Sequence, residues 1–264
     1  MIWTPSNSLW KLPLGSTLND DPINTGLVGY WLCNEGGGTR ISDLSSNNRT
    51  LTVTNAIWGS GSLGAELVFD GNGDYASTSA RFDEITATAP YSIVLWIRPG
   101  SVGSANFICS QVAGTADRFT CTLDSSNKLT FGHYDGSSYA GVKTTQALIA
   151  GKLYHVVLVH TASKINTIWL DNVANSSAAT PSSPGGTARA AFRLGTNADA
   201  SGSWYLGSIC VAGVYNRDLT PGEIAQLYWD MFRGVQRPGL DLSCLAAVMG
   251  GEETTTTLPP TTPA

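Results

Sequence analysis

The chain has 264 residues, 15 basic and 20 acidic, for a net charge of −5. Charged residues make up only 13% and hydrophobic ones 42%, which excludes a disordered chain, and the scattered basic residues exclude an electrostatic nucleic-acid footprint. No apolar stretch approaches the roughly 18 residues of a membrane span, and the first residues lack the basic and apolar regions of a secretion signal, so classical secretion is not expected.

Three regions follow in chain order. Residues 1–25 are broken by Pro5, Pro13 and Pro22 and read as an N-terminal arm. Trp3 and Trp10 on such an arm are costly to leave in water, so they are expected to fold back or to dock on a neighbour. Residues 26–233 then read as a succession of short strands at 27–33, 66–70, 75–79, 91–98, 105–112, 117–124, 128–134, 153–161, 166–171, 190–194 and 204–216. Most are β-branched or aromatic and are bounded by Gly, Asn, Asp or Ser. Asp135-Gly136 and Asp171-Asn172 read as turn dipeptides between strands. Thr220-Pro221-Gly222-Glu223 is a helix start, with Thr220 as N-cap and Glu223 closing a capping box. Ile224, Leu227, Tyr228, Met231 and Phe232 fall on one face of that helix, which is expected to stop at Gly234. Residues 234–264 form a C-terminal arm that contains Leu240 and Leu242 and ends in a Thr/Pro-rich tail. Many strands without helices between them imply an all-β, antiparallel sandwich or barrel. No repeat of 20–50 residues is visible, which disfavours a propeller or solenoid.

The five cysteines form no CxxC pair, so a zinc ribbon is excluded and buried thiols are expected. Strands 105–112 and 117–124 turn around residues 114–116. A hairpin centred on Thr115 places residues whose numbers sum to 230 opposite one another, Cys109 and Cys121 among them. That pair could bridge in an oxidising setting.

Several segments carry a resemblance. Gly26-Leu27-Val28-Gly29-Tyr30-Trp31, Asn34-Glu35-Gly36-Gly37-Gly38-Thr39 with Asp43-Leu44-Ser45-Ser46-Asn47, and Phe69-Asp70-Gly71-Asn72-Gly73-Asp74-Tyr75 come first. Tyr91 to Pro99, Leu153-Tyr154-His155-Val156, Ile168 to Asn172, and Val214-Tyr215-Asn216-Arg217-Asp218-Leu219 with the capped helix follow. In order and spacing they are similar to the motifs of laminin-G-like, concanavalin A-like jelly-roll domains. The resemblance covers residues 26–229 and implies two stacked antiparallel sheets of six or seven strands each.

Glycosidases of that fold carry an E-x-D-x-E strand whose carboxylates act as acid and nucleophile. This chain has no such triplet, and Asp83-Glu84 on a strand would point to opposite faces. His133, His155 and His160 are read as structural, with His155 and His160 on opposite faces of one strand. Calcium is the one cofactor considered, with Asp70 and Asp74 in a Gly-rich turn as candidate ligands. Against it, the two acids that the resemblance places before the I-Y-N-R strand are replaced by Cys210 and Val211. The candidate glycan platform is Tyr134, Tyr139 and Trp204, beside Asp135, Ser137 and Ser203.

The expected function is a non-catalytic structural or binding module. Members of this type with short arms resemble bacteriophage virion proteins. That resemblance implies arms, through Trp3, Trp10, Leu240 and Leu242, that hold sister subunits or other virion proteins. The sandwich would face outward at the virion surface and touch glycans. The alternatives are a secreted or cell-surface bacterial carbohydrate-binding adhesin and a degenerate glycosidase of the same fold.

Overall fold

The computed structural model describes residues 12–85, 89–100, 106–113, 117–134, 139–179, 192–197 and 200–236. The first elements are β1 (Thr17–Leu18), a single 3-10 turn (Pro22–Asn24), β2 (Leu27–Trp31), β3 (Arg40–Ile41), β4 (Leu51–Thr54) and β5 (Ile57–Gly61). Next come β6 (Gly64–Asp70), β7 (Tyr75–Thr78), β8 (Tyr91–Pro99), β9 (Asn106–Ala113), β10 (Asp117–Leu123) and β11 (Leu129–Tyr134). The chain continues through β12 (Tyr139–Lys143), β13 (Tyr154–His160), β14 (Ile165–Leu170), β15 (Val173–Ala179) and β16 (Phe192–Leu194). β17 (Leu206–Tyr215), helix α1 (Pro221–Trp229) and β18 (Val235–Gln236) close it.

Two antiparallel sheets pack face to face. The first has the order β12-β11-β10-β9-β16-β7-β4-β3. The second has the order β15-β14-β13-β8-β17-β6-β5, with β2 pairing the far half of β17. Each sheet therefore has eight strands, more than the six or seven expected. The additional strands are short or Gly/Ser-rich and carry little apolar signal.

The register of the β9–β10 hairpin is the one the sum rule requires: Asp117 faces Ala113, Phe119 faces Gln111 and Cys121 faces Cys109. A bulge after Cys121 then shifts the pairing by one. Cys121 is a buried free thiol. Asp171 and Asn172 both have positive φ, 49° and 64°, and join β14 to β15 as a tight hairpin. Asp135-Gly136 lies outside the described residues.

The core between the sheets contains Trp31, Phe69, Phe119, Phe131 and Phe192, all at most 1% exposed. A second apolar cluster lies on the outer face of the second sheet. On β8, Ile93, Leu95 and Ile97 point into the first cluster while Val94 and Trp96 enter the second. On β13, Val156 and Leu158 point inward and Val157 and Val159 outward. These strands read as unbroken apolar runs because both of their faces are covered. A bulge on β17 opposite β8 lets Cys210 and Val211 both reach the outer cluster.

Helix α1 and residues 12–25 supply the cover. The capping box forms as expected: the Thr220 side chain accepts from the Glu223 N–H and the Glu223 side chain accepts from the Thr220 N–H. Ile224 and Leu227 are buried. The helix ends at Trp229, before Gly234, and Met231 and Phe232 are buried in the turns that follow it. Leu12 and Ile23 join the same cluster, and β1 pairs with β18, so the chain from Leu12 to Thr25 lies against the sandwich. Trp3, Trp10, Leu240 and Leu242 lie outside the described residues.

The N-R-x-L segment acts as a lock on this cover. Arg217 forks onto Glu223 at 2.9 and 2.7 Å and donates through Nε to the Thr25 carbonyl at 2.7 Å. Arg217 holds the Glu223 carboxyl down at about 2. Buried Ser92 donates to the Arg217 carbonyl and accepts from the Leu219 N–H, both at 2.9 Å. Ser92→Ala leaves two buried backbone groups without these partners. It is expected to cost about 2–4 kcal/mol, read by calorimetry as a Tm fall on the order of 10 °C.

His155 and His160 do fall on opposite faces of β13. His160 packs inward against Tyr91 and His133. His155 packs outward between Trp96 and Tyr228, 1% exposed, with no hydrogen bond to either ring nitrogen. Burial lowers its pKa from 6.5 to about 3. The unfolded chain therefore binds a proton that the folded one refuses. The neutral ring's contribution is complete above about pH 6.5 and is lost as pH falls towards 3. His155→Phe is expected to keep the ring packing and to flatten the fall in Tm between pH 6.5 and 4. An unchanged pH slope would contradict this assignment.

Candidate functional site

The strongest convergence of polar and aromatic groups is at one rim of the sandwich, where β6 turns into β7. Gly71 and Gly73 adopt φ of 84° and 80°, which gives the tight turn its shape. Asp70 Oδ1 accepts from the Asn72 N–H at 2.7 Å. Asp74 Oδ2 accepts from the Asp70 N–H at 2.6 Å. Asn55, itself at φ 58°, donates to the Gly73 carbonyl at 3.1 Å. Both carboxylates thus cap their own turn. Burial, together with the neighbouring Asp70 charge, raises the Asp74 pKa.

The loop before β17 packs against this turn. Leu206 pairs with Asp70 across the β6–β17 ladder. Gly195, at φ 87°, leaves no room for a Cβ between the Phe69 ring and the Asp74 carbonyl. The approach of these two loops stacks Trp204 on Tyr75, with ring centroids 6.2 Å apart and planes 20° from parallel. Both rings are half-buried; exposed Asn72, Ser201 and Ser203 belong to the same loops, and exposed Asn55 reaches in from the β4–β5 turn. A sugar ring could lie on such a platform with hydroxyls toward the amides and acids.

The structure therefore divides the expected platform. Tyr134 and Tyr139 face each other at the loop end of the β11–β12 hairpin. Trp204 stands with Tyr75 of β7 instead, five strand intervals from Tyr139 on β12 and at the other end of the register, about 24 Å away by strand spacing alone. Trp204 joins Asp70 and Asp74, a separate candidate by sequence. Tyr75 is the last residue of the Phe69–Tyr75 motif, and its place beside the acidic turn is the signal in the sequence. The Tyr134 side chain and residues 135–138 lie outside the described residues.

Other candidates have structural partners. Cys210 donates to Glu66 Oε2 at 3.2 Å, so an acid does reach the place of the two replaced carboxylates, from β6. Arg98 stands 4.0 Å from the same carboxylate. Asp83 and Glu84 lie in a turn and not on a strand; Asp83 pairs with Arg81 and Glu84 with Arg49. No group of three or more His, Cys, Asp or Glu side chains that could hold a metal occurs among the described residues. A cavity of about 50 Å³ opens between residues 13–16 and Glu35, room for water but not for a sugar. No helix among the described residues is long and apolar enough to cross a membrane.

A family profile described as the concanavalin A-like lectin/glucanases superfamily, of the laminin G type, matches residues 70–225. No curated protein is significantly similar in sequence. Among solved structures, domain 4 of AbnA, a GH43 extracellular arabinanase from Geobacillus stearothermophilus in complex with arabinotriose, is similar at 15% identity and a TM-score of 0.64. That match covers 76% of this chain and 98% of the domain. The binding domain of Paraclostridial Mosquitocidal Protein 1 is similar at 15% identity and a TM-score of 0.65, over 80% of this chain and 53% of that one. The Trypanosoma rangeli sialidase in complex with sialic acid follows at 18% identity and a TM-score of 0.59, over 78% of this chain and 33% of the sialidase. This chain thus spans about half of the toxin domain and a third of the sialidase, and the fold is shared by parts of enzymes and by binding domains. With the family profile matching more than half of its length, the chain belongs to the concanavalin A-like lectin/glucanase superfamily.

Proposed function

We propose that this protein is a non-catalytic glycan-binding module whose sugar platform is the Tyr75–Trp204 stack beside the Asp70–Asp74 turn. The observation that carries the reading is the convergence of a stacked aromatic pair with acid and amide groups on tightly specified loops. The absence of a catalytic role is supported by what the titratable groups do. Asp70 and Asp74 are engaged with turn amides, and His133, His155 and His160 are buried at 1% exposure or less. The neighbour solved with arabinotriose adds support for a carbohydrate ligand.

We further propose that the module is displayed on a larger surface assembly, a virion surface in the phage reading. The pairing of β1 with β18 brings the incoming and outgoing chain together on the α1 side, which suits tethering by flanking segments to sister subunits. A secreted or cell-surface adhesin would use the same platform.

Calorimetric titration with arabinotriose and with a sialylated trisaccharide, each with calcium and with chelator, tests the platform. Trp204→Ala is expected to weaken binding at least tenfold, and Tyr139→Ala to leave it unchanged. A calcium requirement removed by Asp70→Asn would place the ion at the turn. Unaltered binding by Trp204→Ala, with loss in Tyr139→Ala, would move the site to the hairpin.

A further inference from the structure

Asn72-Gly73 is the only Asn-Gly pair in the sequence. It lies in the turn between β6 and β7, with Asn72 exposed and Gly73 at a φ of 80°. A backbone nitrogen that follows an asparagine can attack the side-chain amide and close a five-membered ring. A following glycine brings no Cβ to hinder the approach, and the attack is intramolecular. In a folded chain the reaction is blocked where that nitrogen's N–H is already held. Asn48, Asn55 and Asn127 also adopt positive φ, at 54°, 58° and 62°. In each case the next N–H is held. Arg49 donates to Asp43 Oδ2 at 2.7 Å, Ala56 to the Thr54 carbonyl at 2.7 Å and Lys128 to Asp124 Oδ1 at 3.0 Å. The turn at Asn72 is closed by other groups. The N–H groups of Asn72 and Asp70 donate to the Asp70 and Asp74 carboxylates, and Asn55 donates to the Gly73 carbonyl. No hydrogen bond among the described residues takes the Gly73 N–H or the Asn72 side-chain amide.

We propose that Asn72 is a self-modification site that turns from amide to acid as the protein ages, adding a negative charge to the rim and displacing the Tyr75–Trp204 stack. The Gly73 nitrogen gives its proton to hydroxide and bonds to Asn72 Cγ. The Cγ–Nδ2 bond breaks, and the nitrogen leaves as ammonia with a proton from water, which restores the hydroxide. Water then opens the cyclic imide at one of its two carbonyls and returns a proton to the Gly73 nitrogen. The net change is amide plus water to acid plus ammonia, with nothing oxidised or reduced. Opening at Cγ gives aspartate with the main chain unaltered. Opening at the Asn72 main-chain carbonyl gives an iso-linked aspartate, whose main chain is one carbon longer. The longer link moves Gly73, whose carbonyl Asn55 holds at 3.1 Å, and with it Tyr75, which stacks on Trp204. Both products add a charge beside Asp70 and Asp74. Burial and the Asp70 charge already raise the Asp74 pKa, and the new carboxylate pushes in the same direction.

The full chain would be incubated at mildly alkaline and at mildly acidic pH, both folded and in denaturant. Samples taken over time would be peptide-mapped by mass spectrometry, with fragmentation that separates aspartate from its iso-linked isomer. The expected result is loss of the Asn72 amide in the folded chain, at least about tenfold faster than at Asn48, Asn55 or Asn127. The loss is expected to be faster at alkaline pH, where more of the attacking nitrogen is deprotonated, and to yield both isomers. Asn72→Gln, which would have to close a six-membered ring, is expected to keep its amide over the same period. The Trp204 indole NMR signal is expected to move as the natural chain ages and to stay in place in Asn72→Gln. An Asn72 amide that persists in the folded chain but is lost in denaturant overturns the inference, because the turn then protects it. Equal loss at all four asparagines overturns it as well. An unmoved Trp204 indole after full conversion overturns the link to the rim. None of these measurements uses a sugar, so their failure leaves the glycan-binding reading standing.

Discussion

The burial of β8, β13 and β17 on both faces is the constraint on which the rest of this structure depends. Ile93, Leu95, Val156 and Leu158 fill the space between the sheets, while Val94, Trp96, Val157 and Val211 would meet water if left uncovered. Something must therefore lie over the second sheet. Helix α1 is too short at nine residues to be stable alone, and residues 12–25 contain little regular structure. Each is held in place by the sheet it covers and by the Arg217 fork that joins Thr25 to Glu223.

This asymmetry puts the helix and the 12–25 segment over the second sheet. The second sheet spends both faces on packing. Among the described residues the first sheet turns its apolar side chains to one face, and the Tyr75–Trp204 stack stands at its rim. The β6–β7 turn beside that stack is short, and Gly71, Gly73 and Gly195 each lie in the left-handed region. Such loops present a platform with little ordering left to do on binding. Fold membership alone does not select a ligand, and the choice falls to these few surface residues.

The central strands were legible because double burial writes a continuous apolar run, as in Tyr91–Pro99 and Tyr154–His160. The β9–β10 register was legible because a short turn leaves one pairing, and the capped helix start because Thr220, Pro221 and Glu223 each have a positional reason. What the pattern did not reveal lies largely at the edges. β5 is Ile-Trp-Gly-Ser-Gly and β15 begins Val-Ala-Asn-Ser, sequences that pair on one side only and need little apolar surface. Met231 and Phe232 continue the apolar face of the helix and so point to a stop at Gly234; they are buried, but in the turns that follow Trp229. In the candidate site, the turn acids and Trp204 were each visible, but their meeting depends on the pairing of β6 with β17, a contact between segments more than 130 residues apart. Local pattern carries no information about that distance.

The central claim is that the rim carrying the Tyr75–Trp204 stack is the working surface and that the α1 side is structural. The most direct test is an amide and indole NMR map of the full chain during titration with an oligosaccharide. The expected result is shifts gathered at Trp204 and at residues 70–77, with α1 silent. Shifts centred on α1 or on residues 13–16, with the Trp204 indole unmoved, would contradict it.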